Sequence, residues 1–265
     1  MTFTGNLRKM AAEAGSPIRY TLQLGDDAVS LNGLLGQEIR LRFEGVINCK
    51  ICGRVTKKAF GEGFCYPHFM NHPENSPCIV RPELCEGHLG KGRDAEWELT
   101  HHVQPHTVYL ALTSGVKVGV TRSTQIPTRW IDQGAWKTIR LAETPQRQLA
   151  GAIEVALKAY VTDKTPWQDM LRDRREDADL TAEKARLHAL LPPELQAYYS
   201  ENPEIQEFAY PVLQYPESVK SISLDKTPDT GGMLAGIRGQ YLIFGDGRAI
   251  NVRSHTGYKV TLETA

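Results

Sequence analysis

The sequence predicts an α+β protein: a small mixed sheet with flanking helices, a β-rich body drawn from the N- and C-terminal segments, and a cysteine-bound module between them. Three observations predict it. All five cysteines fall between residues 49 and 85. Residues 107–163 alternate short apolar runs with stretches of helical period. The two ends share the pattern L-x-G-x-x-G-Q-x-[I/L], in LNGLLGQEI and LAGIRGQYL.

Residues 1–45 are the N-terminal β segment. Gly33, Gly36 and Gln37 lead into an alternating strand, Ile39-Leu41-Phe43. Gly236, Gly239 and Gln240 do the same near the C-terminus, so the two ends are expected to pack in one barrel-like body. These glycines run into strands and not into a helix N-terminus, so they do not form a phosphate-cradling loop.

Residues 46–106 form the predicted zinc-binding module. Cys49, Cys52, Cys65 and His68 follow the spacing C-x2-C-x12-C-x2-H. A two-residue gap lets a tight turn aim two ligands at one ion, and two such turns close a tetrahedron around Zn2+. His72 is an alternative fourth ligand. Four protein ligands leave no open position, so the ion is expected to staple the fold. A second zinc is expected on Cys78, Cys85, His88 and one of His101 or His102, with His102 preferred.

Residues 107–163 open with VYLALTSGVKVGVTR, two strands joined by Thr113-Ser114-Gly115. A short helix carrying Arg129 and Trp130 is expected next, then a strand over 136–143. Thr144 as N-cap and Pro145 at the first helical position then open a helix. Its inner face should hold Leu149, Ile153, Ala156, Leu157 and Tyr160, with Glu154 at the margin. Residues 164–218 read as a charged helical linker punctuated by prolines, and 219–265 as the C-terminal β segment. There Arg238, Arg248, Arg253, His255, Tyr258 and Lys259 suggest a basic, aromatic exterior that suits an unpaired strand or a plain sheet surface.

Lys plus Arg equal Asp plus Glu at 31 each, so no global field draws the chain to nucleic acid or membrane. A local basic run remains, from Arg40 to Lys58, with six cations against Glu44 alone. It is either a solvated face or a phosphate-contacting one. No apolar leader and no membrane-length apolar stretch is present, which predicts a cytoplasmic protein with reduced, metal-binding cysteines.

The order strand, strand, Arg-bearing helix, strand, Glu-bearing helix resembles the GIY-YIG nuclease domain. Val108-Tyr109-Leu110 looks like its first motif and Lys117-Val118-Gly119 like its second. The resemblance implies that Tyr109 activates water, Arg129 assists and Glu154 binds Mg2+ or Mn2+, with nucleic acid as substrate, RNA slightly favoured over DNA. Lys117 stands where the family has a tyrosine. It would offer charge to phosphate and not a proton shuttle, which points equally to an inactive scaffold that binds RNA or a protein partner. Over nearly its whole length the chain also resembles an uncharacterised bacterial family with a domain-of-unknown-function label, number 2797, through CIVRPELC, YLALTSGVKVGVTR, GQYLIF and HTGYKV.

Overall fold

The computed structural model describes residues 1–264 apart from 163 and 165. The last residue of the 107–163 stretch, residue 165 of the linker and residue 265 thus lie outside the described residues. The strands are β1 (Thr2–Asn6), β2 (Ala11–Glu13), β3 (Arg19–Leu24), β4 (Asp27–Ser30), β5 (Glu38–Asn48), β6 (Val55–Thr56), β7 (His106–Leu112), β8 (Val116–Arg122), β9 (Lys137–Thr144), β10 (Ile205–Glu207), β11 (Lys220–Ile222), β12 (Asp229–Arg238), β13 (Tyr241–Phe244), β14 (Arg248–Asn251) and β15 (Tyr258–Thr264). The helices are α1 (Tyr66–Asn71), α2 (Ala95–His101), α3 (Thr128–Asp132), α4 (Arg147–Leu157), α5 (Trp167–Leu171), α6 (Leu180–Ala189) and α7 (Pro193–Gln196). The fold is mixed α+β, with several sheets and short helices. Among the described residues no helix is long and apolar enough to cross a membrane.

The chain forms two compact units. One holds Met1–Met70, Leu171–Asp173 and Phe208–Ala265; the other holds Asn71–Met170 and Arg174–Glu207. In the first, one sheet runs in the order β1-β15-β5-β12-β13-β14-β11, with β6 paired to β5. β5 therefore lies between β15 and β12, so strands from the two ends share one ladder. Ile39 and Leu41 point inward and are buried, while Arg40 and Arg42 point outward. The repeated motif has a structural counterpart: β5 follows Gly36-Gln37, β13 follows Gly239-Gln240, and both pair antiparallel with β12. Gly36 and Gly239 sit at φ 78° and 59°, the left-handed turn that makes glycine the favoured residue there.

Of the six C-terminal residues expected to form a basic, aromatic exterior, Lys259 is exposed, but the others are buried or half-buried. Arg238 is fully buried, between the rings of Tyr210 and Tyr215 and bonded to Asp173. His255 and Tyr258 are buried too, His255 accepting from the Leu224 amide and Tyr258 donating to Asp225. Arg248 and Arg253 are held by Asp246 and Glu62.

In the second unit an antiparallel sheet runs β10-β9-β7-β8. β7 is central and buried along all seven residues. Val108, Leu110 and Leu112 join Val118, Ile139 and Leu141 in a core that α4 and α6 cover with Ala150, Ile153, Leu157, Leu180 and Leu187. The expected start of α4 shifts. Thr144 stays in β9, opposite His106, because its hydroxyl is spent on the Gln146 carbonyl, and the helix begins at Arg147. The inner face is also shifted: Ala150, Gly151, Ile153, Glu154 and Leu157 are buried and Leu149 only half-buried, while Tyr160 falls beyond the helix, which ends at Leu157, and is 50% exposed. The cause is Gly151. A Cβ there would stand 2.1 Å from the Glu83 amide nitrogen, so only a glycine lets the 82–84 turn lie against the helix backbone. That contact carries Glu154 inward.

Candidate metal centres and the hairpin cluster

Cys49 follows β5, where its amide bonds to the Arg54 carbonyl and its own carbonyl accepts from Gly53, curling residues 49–54 into a turn. Cys65 precedes α1 and His68 lies on that helix. The ligand atoms of Cys49, Cys52, Cys65 and His68 all lie within 4.8 Å of one another. His68 Nδ1 is 3.4 Å from Cys49 Sγ and 3.3 Å from Cys65 Sγ. His72 is outside the group; its Nδ1 accepts from the Glu74 amide and caps a short turn. Burial opposes ionisation of Cys49, but the amides of Cys52, Cys65 and Ile51 outweigh it and hold the thiol down at about 6. This is the electrostatics a cation-binding thiolate requires. Cys49 and Cys65 are buried and Cys52 is exposed.

A second group in the other unit brings together Cys78, Cys85, Glu98 and His102, again within 4.8 Å and here with every member buried. Cys78 sits on one 3-10 turn and Cys85 caps the next, while Glu98 in the first turn of α2 lies one helical turn before its C-cap, His102. Cys85 is held down by its hydrogen bond from Cys78 and, against burial, by His102. Cys78 is pushed up by its hydrogen bond to Cys85 and by burial. The expected His88 is exposed and outside the group. His101 is turned away, its ring stacked on Trp97 with centroids 4.1 Å apart. Both four-residue groups have the donor set and closeness of zinc sites and could hold structural zinc ions.

The third feature is the β7–β8 hairpin. Tyr109 pairs with Gly119 and Ala111 with Lys117, so Tyr109 and Lys117 share one sheet face. A Cβ on Gly119 would stand 2.6 Å from the Tyr109 hydroxyl oxygen, so the glycine makes room for the ring. Trp130 packs edge-on at 5.8 Å, and the Gln133 amide donates to the hydroxyl. Burial pushes the Tyr109 hydroxyl up, Arg129 and Gln133 oppose that shift, and Glu154 adds to it. Tyr109 is therefore within electrostatic reach of Arg129 and of Glu154. Tyr109 is 0% exposed, Lys117 6% and Glu154 9%, with Lys158 3.8 Å from the Glu154 carboxylate.

The model of the family described as "Protein of unknown function (DUF2797)" matches residues 36–260. The chain belongs to this family. The DUF2797 span takes in both metal-ligand groups and the hairpin cluster. No curated protein and no solved structure matches the chain.

Proposed function

We propose that this is a zinc-stapled nucleic-acid-binding protein, with unpaired RNA the favoured partner, whose GIY-YIG-like core is a sealed scaffold and not a working nuclease. The observation that carries the binding reading is the surface of the first metal module. Residues 49–70 hold Lys50, Arg54, Lys57 and Lys58 against the single acid Glu62, all four cations are exposed, and Glu62 is already paired with Arg253. The run's earlier cations, Arg40 and Arg42, are engaged by Asp229 and Glu44 instead. Apolar groups are interleaved with the module's cations: Tyr66 is 56% exposed and Val55 66%, and Lys58 Nζ lies 5.5 Å over the Phe60 ring, itself edge-on to Tyr66. Cations that track phosphates beside an aromatic on which a base can stack are what sequence-tolerant single-strand binding uses.

Burial supports the scaffold half of the reading. A nuclease needs its base, metal carboxylate and substrate phosphate to meet, and a tyrosine with no exposed surface cannot reach a polymer's backbone. The assay is binding and cleavage in parallel on labelled single- and double-stranded RNA and DNA with Mg2+ or Mn2+. Wild type, Glu154→Ala and Lys57→Glu/Lys58→Glu are compared. Salt-sensitive binding that only the double lysine variant weakens, without cutting, is expected. With about four phosphate contacts, log K should fall with log salt at a slope of roughly −3 for a single strand. Metal-dependent cutting lost in Glu154→Ala would overturn the scaffold reading, and absence of binding at low salt would remove nucleic acid altogether.

A further inference from the structure

We propose that Cys78, Cys85, Glu98 and His102 form a closed zinc site with Glu98 as the fourth ligand, and that its ion seats the 82–84 turn on α4 and so fixes the place of Glu154. The inference is independent of nucleic-acid binding.

The group is built for a cation. All four residues are between 1% and 7% exposed. Glu98 Oε2 lies against His102 Nδ1, while Glu98 Oε1 is buried with no hydrogen-bond partner. An orphaned carboxylate oxygen beside two buried thiols is costly without a positive charge among them. Zn2+ supplies that charge and takes two sulfurs, one imidazole nitrogen and one carboxylate oxygen as a complete tetrahedron. Two thiolates, one carboxylate and the ion sum to a single negative charge. Arg147 is the nearby counter-charge, and its guanidinium donates to the carbonyls of Cys78 at 3.0 Å and Ile79 at 2.9 Å. The chain also makes room for the carboxylate: a Cβ on Gly92 would stand 2.4 Å from Glu98 Cγ, and one on Gly87 3.3 Å from Glu98 Cβ.

The consequence for α4 follows from spacing. Arg147 holds the first cysteine turn, and Gly151, one helical turn on, lies against Pro82 and Glu83 in the second. Glu154 comes three residues later on the same ridge. An ion that ties Cys78 and Cys85 to α2 therefore clamps both turns against the face of α4 that bears Glu154.

The test is zinc content per chain, measured on the full-length protein. Wild type should hold two ions, Glu98→Ala and Cys85→Ser one, and His88→Ala two. Two ions in Glu98→Ala, or one in His88→Ala, would overturn the ligand set. A readout on the unmutated protein guards against variants that fail to fold. The Trp97 ring is edge-on to His102 with centroids 4.9 Å apart, so loading this site with Co2+ should quench a fluorescence component that is missing from Trp97→Phe. Loading that leaves the Trp97 component unchanged would refute the site. For the clamp, amide hydrogen exchange over 147–154 should be about tenfold faster in Glu98→Ala. Unchanged exchange there, with one zinc lost, would overturn the positioning role alone.

Discussion

Gly151→Ala sets two effects of opposite sign against each other. In the middle of an exposed helix, replacing glycine by alanine stabilises by about 1 kcal/mol, because it removes backbone freedom from the unfolded chain. At residue 151 the new methyl carbon would lie 2.1 Å from the Glu83 nitrogen, 2.4 Å from the Pro82 carbonyl carbon and 2.8 Å from Glu83 Cα. Ordinary contact begins near 3.5 Å, so the turn or the helix must retreat by roughly an ångström. All three atoms are backbone, so no side-chain rotation relieves the clash. Overpacking of this kind costs typically 1–3 kcal/mol, and this contact belongs at the upper end, for a net loss of about 1–2 kcal/mol. Urea unfolding with Zn2+ present, followed by a probe of the second unit, measures it. Because the 82–84 turn lies between the two cysteines of the second group, the variant should also lose metal from that group sooner. A variant as stable as wild type or more so would show that α4 and the turn do not meet as described, and would remove the reason that Glu154 faces inward.

Release of zinc to a chelator should be biphasic, because Cys52 is exposed whereas every member of the second group is buried; a single phase for both ions would refute that contrast. His106 is buried, and burial, opposed by the Gln104 carbonyl, pulls it from 6.5 to about 4. A folded value below the unfolded one means the stability is complete above 6.5 and is lost as pH falls toward 4. At about 1.36 kcal/mol per pH unit that is roughly 3 kcal/mol. His106→Leu should unfold with a shallower pH dependence across that window, and an identical slope would exclude His106 as the cause. Tyr109→Phe removes one of the two acceptors of the Gln133 amide, leaving the Arg129 carbonyl, and should cost about 1 kcal/mol while leaving RNA binding unchanged. Weaker RNA binding by that variant would contradict a sealed hairpin cluster. Arg238→Met removes the ion pair to Asp173 and should cost about 3–5 kcal/mol if the pair acts as a buried one. A change under 1 kcal/mol in chemical denaturation would show that the two flanking tyrosines carry the site without it.

What the sequence made legible was local chemistry. The first metal group could be read because its four ligands come as two short turns, each with two residues between its ligands. The β7–β8 hairpin could be read because the apolar runs flank Thr-Ser-Gly, and the structure keeps both runs as strands. The sharing of one sheet by the two ends was visible only through the Gly-Gly-Gln repeat, and nothing in that repeat specified β12 as the common partner. Glu98 was hidden for a different reason. It is one carboxylate among the many of a charged protein, and its spacing to His102, four residues on a helix, carries meaning only once Cys78 and Cys85 are folded beside it. His88 looked better placed, with two residues between it and Cys85, but the chain turns at Glu86–Leu89 and leaves that ring in solvent.

The rotated face of α4 shows the same limit from the packing side. Helical periodicity places Leu149 and Tyr160 inward on hydrophobicity alone, which assumes that the helix meets only the sheet. A second neighbour, the backbone of the 82–84 turn, asks for the smallest residue and takes Gly151, and the helix turns to give it that contact. Leu149 moves to the margin and a glutamate comes in under cover, while the helix ends at Leu157 and leaves Tyr160 in an exposed turn. A buried carboxylate is normally selected against unless something nearby bears positive charge. Lys158 on the next turn and Arg147 two turns back provide it. The residue most suggestive of catalysis in the sequence thus owes its burial to the 82–84 turn and its tolerance to flanking cations, so under the proposal above the state of the second metal group, more than the motifs of the hairpin, decides what Glu154 can do.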